Sequence, residues 1–320
     1  MVRIGIDMMG GDLAPQEVIK GCKAYISDNT GSTHLVLIGD ETKVQPLLAD
    51  AGIPDNSYTF IHAPEVIEMN EHPTKALKEK QHSSIAIGFH LLATGETDAF
   101  ISAGNTGAMM VGALFSIKTI EGVSRPTIGA YLPREDGSLG LLVDVGLNAD
   151  CKPENLNQFA TLGSLFARNI LNIDNPRTGL LNIGEEEGKG NLLAQAAFPL
   201  LKENQHIHFI GNVEGRDLLI DKAEVYVCDG FTGNVILKMA ESIYDLVKRR
   251  NINDEHFNRF NFEMYGGVPV LGVAKPVIIG HGVSQATAFK NMIRTAVAML
   301  QTGLNEKIKE AFSATESLKK

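Results

Sequence analysis

Apolar positions along the chain fall into two rhythms that take turns. Short runs at Val2–Asp7, His34–Gly39, Tyr58–His62, Asp98–Ser102, Gly140–Asp144, Gly179–Ile183, Ile207–Gly211, Glu224–Cys228 and Val277–Gly280 predict strands. Between them Pro15–Ser27, Ser83–Thr94, Thr106–Lys118, Pro153–Leu171, Asn191–Lys202 and Thr232–Arg250 repeat apolar residues at helical spacing. The last carries one stripe: Val235, Ile236, Met239, Ile243, Leu246 and Val247. Repeated strand–helix–strand units predict an α/β fold, a mostly parallel sheet flanked by helices. Arg125–Asp144 breaks the rhythm. Two apolar runs joined by Pro133–Gly137 predict an inserted antiparallel hairpin. No proline- or serine-rich linker interrupts residues 1–320, so a single catalytic unit of two closely packed lobes is expected, with a helical protrusion over about 237–262.

Composition narrows the class. A chain of 320 residues with 44% apolar side chains can bury a large core, and its 32 glycines suit many tight strand-to-helix turns. Cys22, Cys151 and Cys228 stand far apart with no CxxC pair, which points to a reducing compartment and away from a zinc knuckle or a disulfide framework. Residues 2–7 already read as a strand, so no signal peptide is expected, and no apolar run reaches the length of a membrane span. A cytoplasmic protein follows. The formal net charge of −9 argues against nucleic acid as a partner.

The chemistry-bearing residues gather where strands end. Ala99–Ile101 runs into Ser102-Ala103-Gly104-Asn105-Thr106-Gly107, and Val225–Val227 runs into Cys228-Asp229-Gly230-Phe231-Thr232-Gly233-Asn234. Both contain Gly-x-Thr-Gly ahead of a helix, with Thr106 and Thr232 expected as N-caps. Asp144–Asn148, Gly184–Lys189, Gly211–Arg216 and Gly280–Ser284 also follow strands. In open parallel sheets ligands bind beyond the carboxyl ends of strands, where glycine lets backbone N–H groups approach an anion. Taken singly, each loop reads equally well as an ordinary tight turn. Six together, carrying Asn, Asp, Glu, Lys, Arg and His, exceed what turns need, and a phosphate group is the expected ligand.

Other signatures are missing. There is no G-x-x-x-x-G-K-[ST], no G-x-G-x-x-G, no G-x-S-x-G and no HExxH. His206 and His208 lie on one strand and read as a polar face rather than a metal site. No cofactor and no metal is expected, and phosphate itself emerges as a reactant.

In order along the chain, IDMMGGD (6–12), HPTKALKEKQHSS (72–84), SAGNTGA (102–108), LVDVGLN (142–148), NIGEEEGKG (182–190), GNVEGRD (211–217), CDGFTGN (228–234), YGGVPVLG (265–272) and GHGVS (280–284) resemble the motifs of the bacterial acyl-carrier-protein:phosphate acyltransferases of phospholipid synthesis, the PlsX family. Met8, Leu147 and Val283 depart from that pattern, while the polar residues are intact. The resemblance implies a fold like phosphotransacetylase and the isocitrate/isopropylmalate dehydrogenases. It also implies transfer of a fatty acyl group from acyl carrier protein to inorganic phosphate, a homodimer, a glycerol-3-phosphate acyltransferase downstream, and peripheral membrane contact.

For that reaction the main needs are bringing two substrates together and stabilising an oxyanion, because a thiol of pKa roughly 8.5 leaves readily. Asn105, Thr106, Thr232 and Asn234, with the backbone of Gly104, Gly107, Gly230, Gly233 and Gly282, are expected to hold phosphate. Lys189, Arg216 and His281 are candidates to balance charge or protonate the leaving sulfur. Asp144, Glu185, Glu186, Glu214 and Asp229 are candidates to orient those cations or to act as base, and Asn148, Asn212 and Ser284 complete the expected binding set. Lys75, Lys78 and Lys80 read equally as a docking patch for acidic acyl carrier protein and as a solvated basic turn. Lys248, Arg249, Arg250, Arg259, Phe257, Phe260 and Phe262 have a composition suited to an anionic membrane surface, although a dimer-contact helix pair is the reading their spacing favours. Three alternatives stay open: a short-chain phosphate acetyltransferase using coenzyme A, a dehydrogenase of the same fold class, and a non-catalytic scaffold for carrier protein and membrane.

Overall fold

The computed structural model describes residues 1–28 and 33–317. Every strand expected above forms, with ends shifted by no more than two residues. In chain order the strands are β1 (Val2–Asp7), β2 (Thr33–Gly39), β3 (Tyr58–His62), β4 (Ala99–Ser102), β5 (Thr127–Pro133), β6 (Leu139–Val143), β7 (Arg177–Leu181), β8 (His208–Val213), β9 (Val225–Val227), β10 (Val268–Leu271) and β11 (Val277–Ile279). The helices are α1 (Gln16–Asp28), α2 (Glu41–Ala51), α3 (Pro73–Glu79), α4 (Ser84–Thr94), α5 (Thr106–Gly112), α6 (Pro153–Ile170), α7 (Leu192–Glu203), α8 (Gly230–Arg249), α9 (Glu255–Asn258), α10 (Ala286–Gln301) and α11 (Leu304–Ser317). The chain divides into two compact units, Met1–Thr119 with Phe262–Asn305 and Ile120–Asn261 with Glu306–Lys320.

In the first unit the strand order is β3-β2-β1-β4-β11-β10, parallel except for β10 against β11. Ile4–Asp7 and Ala99–Ser102 are buried without alternation, as strands covered on both faces must be. Gly21 on α1 admits α10, since a Cβ there would sit 2.5 Å from that of Phe289. Phe89 of α4 meets Phe100 of β4 edge-to-face at 5.2 Å, and each fully buried ring contributes about 1.5–3 kcal/mol. Ser83 starts α4 by accepting from the Ala86 N–H, and left-handed Gly95 ends it. Residues 106–118 differ from the single regular helix expected. α5 stops at Gly112, where the Phe89 ring occupies the space of a Cβ, and 113–117 continue as a π-turn. β10 lies beyond the expected elements because Pro269 and the preceding glycines disguise it, yet Pro269 sits opposite Ile278 in an antiparallel pair.

In the second unit the order is β5-β6-β9-β7-β8, with the antiparallel β5–β6 hairpin leading into parallel β6, β9, β7 and β8. α6 lies close on this sheet because Gly163 has no side chain; a Cβ would be 2.8 Å from Val225. The hairpin is tied at its turn. Buried Arg134 donates to the Ala223 carbonyl at 2.9 Å and to Glu224, which also receives Arg177. Arg259 donates to the Ser138 carbonyl at 3.0 Å. The α8 stripe is not an inward face within this chain: Val247 is buried, but Val235, Met239 and Leu246 are more than half exposed. Phe260 is buried and Phe257 half-buried, both against His256. Among the described residues no helix is long and apolar enough to cross a membrane.

Candidate active site

The motif loops form one cluster in each unit. In the first unit the carboxyl ends of parallel neighbours β1, β4 and β11 lie side by side, each leading into a glycine-rich loop. Asp7 ends β1 fully buried; its carboxylate accepts from Ser102 Oγ at 2.6 Å and from the Met9 N–H at 2.9 Å. Burial pushes the Asp7 carboxyl above its ordinary range, outweighing those hydrogen bonds. Ser102 Oγ in turn accepts from the Gly104 N–H, and the Asp12 N–H donates to the Gly282 carbonyl at 2.7 Å. Gly10 is required by this closeness, since a Cβ would lie 2.7 Å from Gly104 N. Asp7 was not among the expected site residues. An acidic residue closing a strand three positions before a Gly-Gly pair is the signal that points to it.

Asn105, not Thr106, caps α5: its Oδ1 accepts from the Ala108 N–H at 2.9 Å. Its Nδ2 donates to the carbonyls of Glu68, Met69 and Glu71. The expected phosphate-holding amide is therefore committed to the protein, while the exposed Thr106 side chain stands at the first helical position. His281 is exposed, its ring 5.0 Å from that of Phe262. Ser284 is 1% exposed and its hydroxyl has no partner among the described residues. Lys75 and Lys78 are exposed on α3, whereas Lys80 is tied to Glu71 at 2.6 Å and to the Val66 carbonyl.

The second unit gathers the carboxyl ends of β6, β9, β7 and β8. Asp144 follows β6, fully buried. It accepts from the Asn148 N–H and Nδ2, each at 2.7 Å, and burial raises its carboxyl above the ordinary range. Asn148 also donates to the Pro126 carbonyl and accepts from the Gly230 N–H. Both residues hold loops together, and neither pairs with a cation among the described residues. Asp229, not Thr232, caps α8: it accepts from the Thr232 N–H at 2.9 Å and from the Thr232 hydroxyl at 2.8 Å. That hydroxyl proton is given to Asp229, and a carboxylate already occupies the helix N-terminus. Asn234 donates to the Val145 carbonyl, and a Cβ on Gly233 would collide with the Asp144 carbonyl oxygen. Asn212 donates to the Glu186 carbonyl and accepts from Asn182.

Lys189 and Arg216 stand exposed on their loops. Glu185 pairs with Lys222, Glu187 with Lys202, and Glu214 with Arg216 at 2.7 Å. Lys189 is exposed and forms no ion pair among the described residues. Three motif loops meet around one cavity of about 560 Å³. Asn182, Gly190 and Asn191 come from the first loop, Gly215 from the second, and Cys228, Asp229 and Thr232 from the third. Burial pushes the Cys228 thiol well up, so it is held as a thiol rather than a nucleophilic thiolate. Among the described residues no cluster of three metal-ligating side chains occurs.

Comparison with known proteins places this geometry in context. A family model described as "Fatty acid synthesis protein" matches residues 2–254 and 246–307. The phosphate acyltransferase of Chlorobaculum parvum is 44% identical, covering 96% of this chain and 98% of that one. The phosphate acyltransferase of Aquifex aeolicus is 43% identical, covering 96% of each. Among solved structures, a phosphotransacetylase from Streptococcus pyogenes superposes with a TM-score of 0.67 at 20% identity, covering 93% of this chain and 94% of that one. A branched-chain phosphotransacylase from Enterococcus faecalis gives 0.63 at 14% identity, covering 94% and 99%. These likenesses show the fold, the α/β architecture of the phosphotransacetylases.

Proposed function

Because the chain belongs to the phosphate acyltransferase family, we propose that it moves a fatty acyl group from the thioester of acyl carrier protein to inorganic phosphate. An oxygen of the phosphate dianion attacks the thioester carbonyl and the C–S bond breaks. The remaining phosphate proton ends on the sulfur, giving acyl phosphate and the free carrier thiol. The observation that carries this reading is the convergence of three motif loops on one cavity in the second unit, with Lys189 and Arg216 each one residue from its lining.

Lys189 and Arg216 supply the positive charge that a phosphate dianion requires, and Glu214 restrains Arg216 at 2.7 Å. Asp229 and Thr232 shape the turn rather than transfer a proton, since their polar atoms are already paired. His281 in the first unit is the exposed acid–base candidate there. On the same reading Lys75 and Lys78 receive the acidic carrier protein. The product, a reactive mixed anhydride, passes to a glycerol-3-phosphate acyltransferase at the membrane, the protein working as a cytoplasmic, peripherally attached homodimer. The apolar residues Phe231, Val235, Met239 and Leu246, exposed along α8, support such a contact face.

The test incubates the full chain with palmitoyl carrier protein and labelled phosphate, trapping acyl phosphate with hydroxylamine. Acyl phosphate equal to the thiol released is expected, with Lys189→Ala slower by roughly tenfold or more, as for loss of one charge-stabilising group. Thiol release that ignores phosphate, or a preference for acetyl-coenzyme A, would overturn the reading.

A further inference from the structure

The second-unit cavity has a second chemistry besides its polar loops. Leu156 and Leu180 are 2% and 1% exposed and, with buried Ala194, form its floor. Leu181, Leu193 and Ile236 are half-buried and form its walls. Ile183, 82% exposed, stands at the rim beside the exposed Asn191 and Gly215. The polarity therefore runs from a hydrocarbon floor to a polar opening. The one carboxylate on the lining, Asp229, is engaged by the first turn of α8.

A volume of about 560 Å³ lies within the range of sites for small organic ligands, roughly 300–1,000 Å³. A pantetheine arm carries amides that need hydrogen-bond partners, and a floor of Leu and Ala side chains offers none. A hydrocarbon chain needs only exclusion of water. The buried Cys228 thiol is no rival occupant as an acylated nucleophile, because its proton is strongly held.

We propose that this cavity receives the hydrocarbon tail of the acyl substrate, and that Leu193 and Ile236 on its walls determine how many methylenes it accepts. The proposal rests on the acyl-transfer reading above. The tail enters past Ile183 and runs toward Leu156 and Leu180, which leaves its carbonyl end at the rim beside the loops of Lys189 and Arg216. Chain-length preference then follows from methylenes withdrawn from water, each worth about fourfold in binding.

The test fills the cavity from its walls. Ile236→Trp and, as a milder second variant, Leu193→Phe are made in the full chain and checked for wild-type melting. Each is assayed with hexanoyl and palmitoyl groups on the same carrier protein. The ratio of palmitoyl to hexanoyl kcat/KM is expected to fall at least tenfold in Ile236→Trp, and several-fold in Leu193→Phe. An unchanged ratio in folded variants overturns the assignment, whether or not the absolute rates change. Binding of the fluorescent fatty acid cis-parinaric acid separates this proposal from the catalytic one. If wild type makes no acyl phosphate, the enzymatic reading falls. The cavity is then judged by the probe alone: tenfold weaker binding to Ile236→Trp supports it, and equal binding overturns it.

Discussion

Asn105 illustrates how a residue type visible in a motif conceals its task. An amide in a glycine-rich turn has the chemistry to donate to phosphate, yet here its oxygen caps a helix and its nitrogen serves three carbonyls of 68–71. The same holds for Asp229, whose carboxylate satisfies α8 before any substrate arrives. Asp7 makes the converse point, a carboxyl that fold burial turns toward the protonated form. Its folded pKa lies above the ordinary value of 3.8, so its contribution to stability is complete below that value and is lost as pH rises through the folded one. Wild type should therefore lose stability relative to Asp7→Asn as pH is raised from about 4 to 7. Urea melting of both proteins across that range measures it, and a slope of opposite sign would refute the burial argument.

At the scale of the element, the turn before α8 is decided by backbone rather than by side-chain chemistry. The Gly230 N–H donates to Asn148, and Gly233 lies so near the Asp144 carbonyl that no Cβ fits. Gly233→Ala forces α8 away from the β6 loop. It should cost about 1–3 kcal/mol, the usual range for overpacking a close contact, with acyl transfer falling in step. Urea denaturation and the hydroxylamine assay together check both parts; a variant of unchanged stability contradicts the packing. The strands and most helices were legible in the sequence because apolar spacing follows the solvent each face meets. α2, α3, α10, α11 and β10 were not among the expected elements. α2 carries Pro46 and β10 carries Pro269, residues that argue against an element unless tertiary pairing sustains it.

For the whole molecule, an overall charge of −9 opposes an acidic protein partner unless basic residues are exposed locally. Lys75 and Lys78 meet that condition and Lys80 does not, since Glu71 holds it. The double variant Lys75→Glu, Lys78→Glu should raise KM for acyl carrier protein roughly fivefold at low ionic strength. The difference should vanish near 1 M salt, where the screening length is only about 3 Å. Steady-state assays at both salt concentrations decide it, and a KM insensitive to the charge reversal sends the docking surface elsewhere.

The sequence by itself determined the α/β class, the hairpin, the family and the order of glycine-rich loops at strand ends. All of these depend on local spacing and on residue types that recur along the chain. Only tertiary structure decided which polar groups are already satisfied. Asn105, Asn148, Asp144 and Asp229 are bound by partners in the protein, some distant in sequence, and no local pattern reveals such partners. Tertiary structure also brought Leu156, Leu180, Leu193 and Ile236 around one cavity, because residues on three helices and a strand become neighbours only when the sheet assembles.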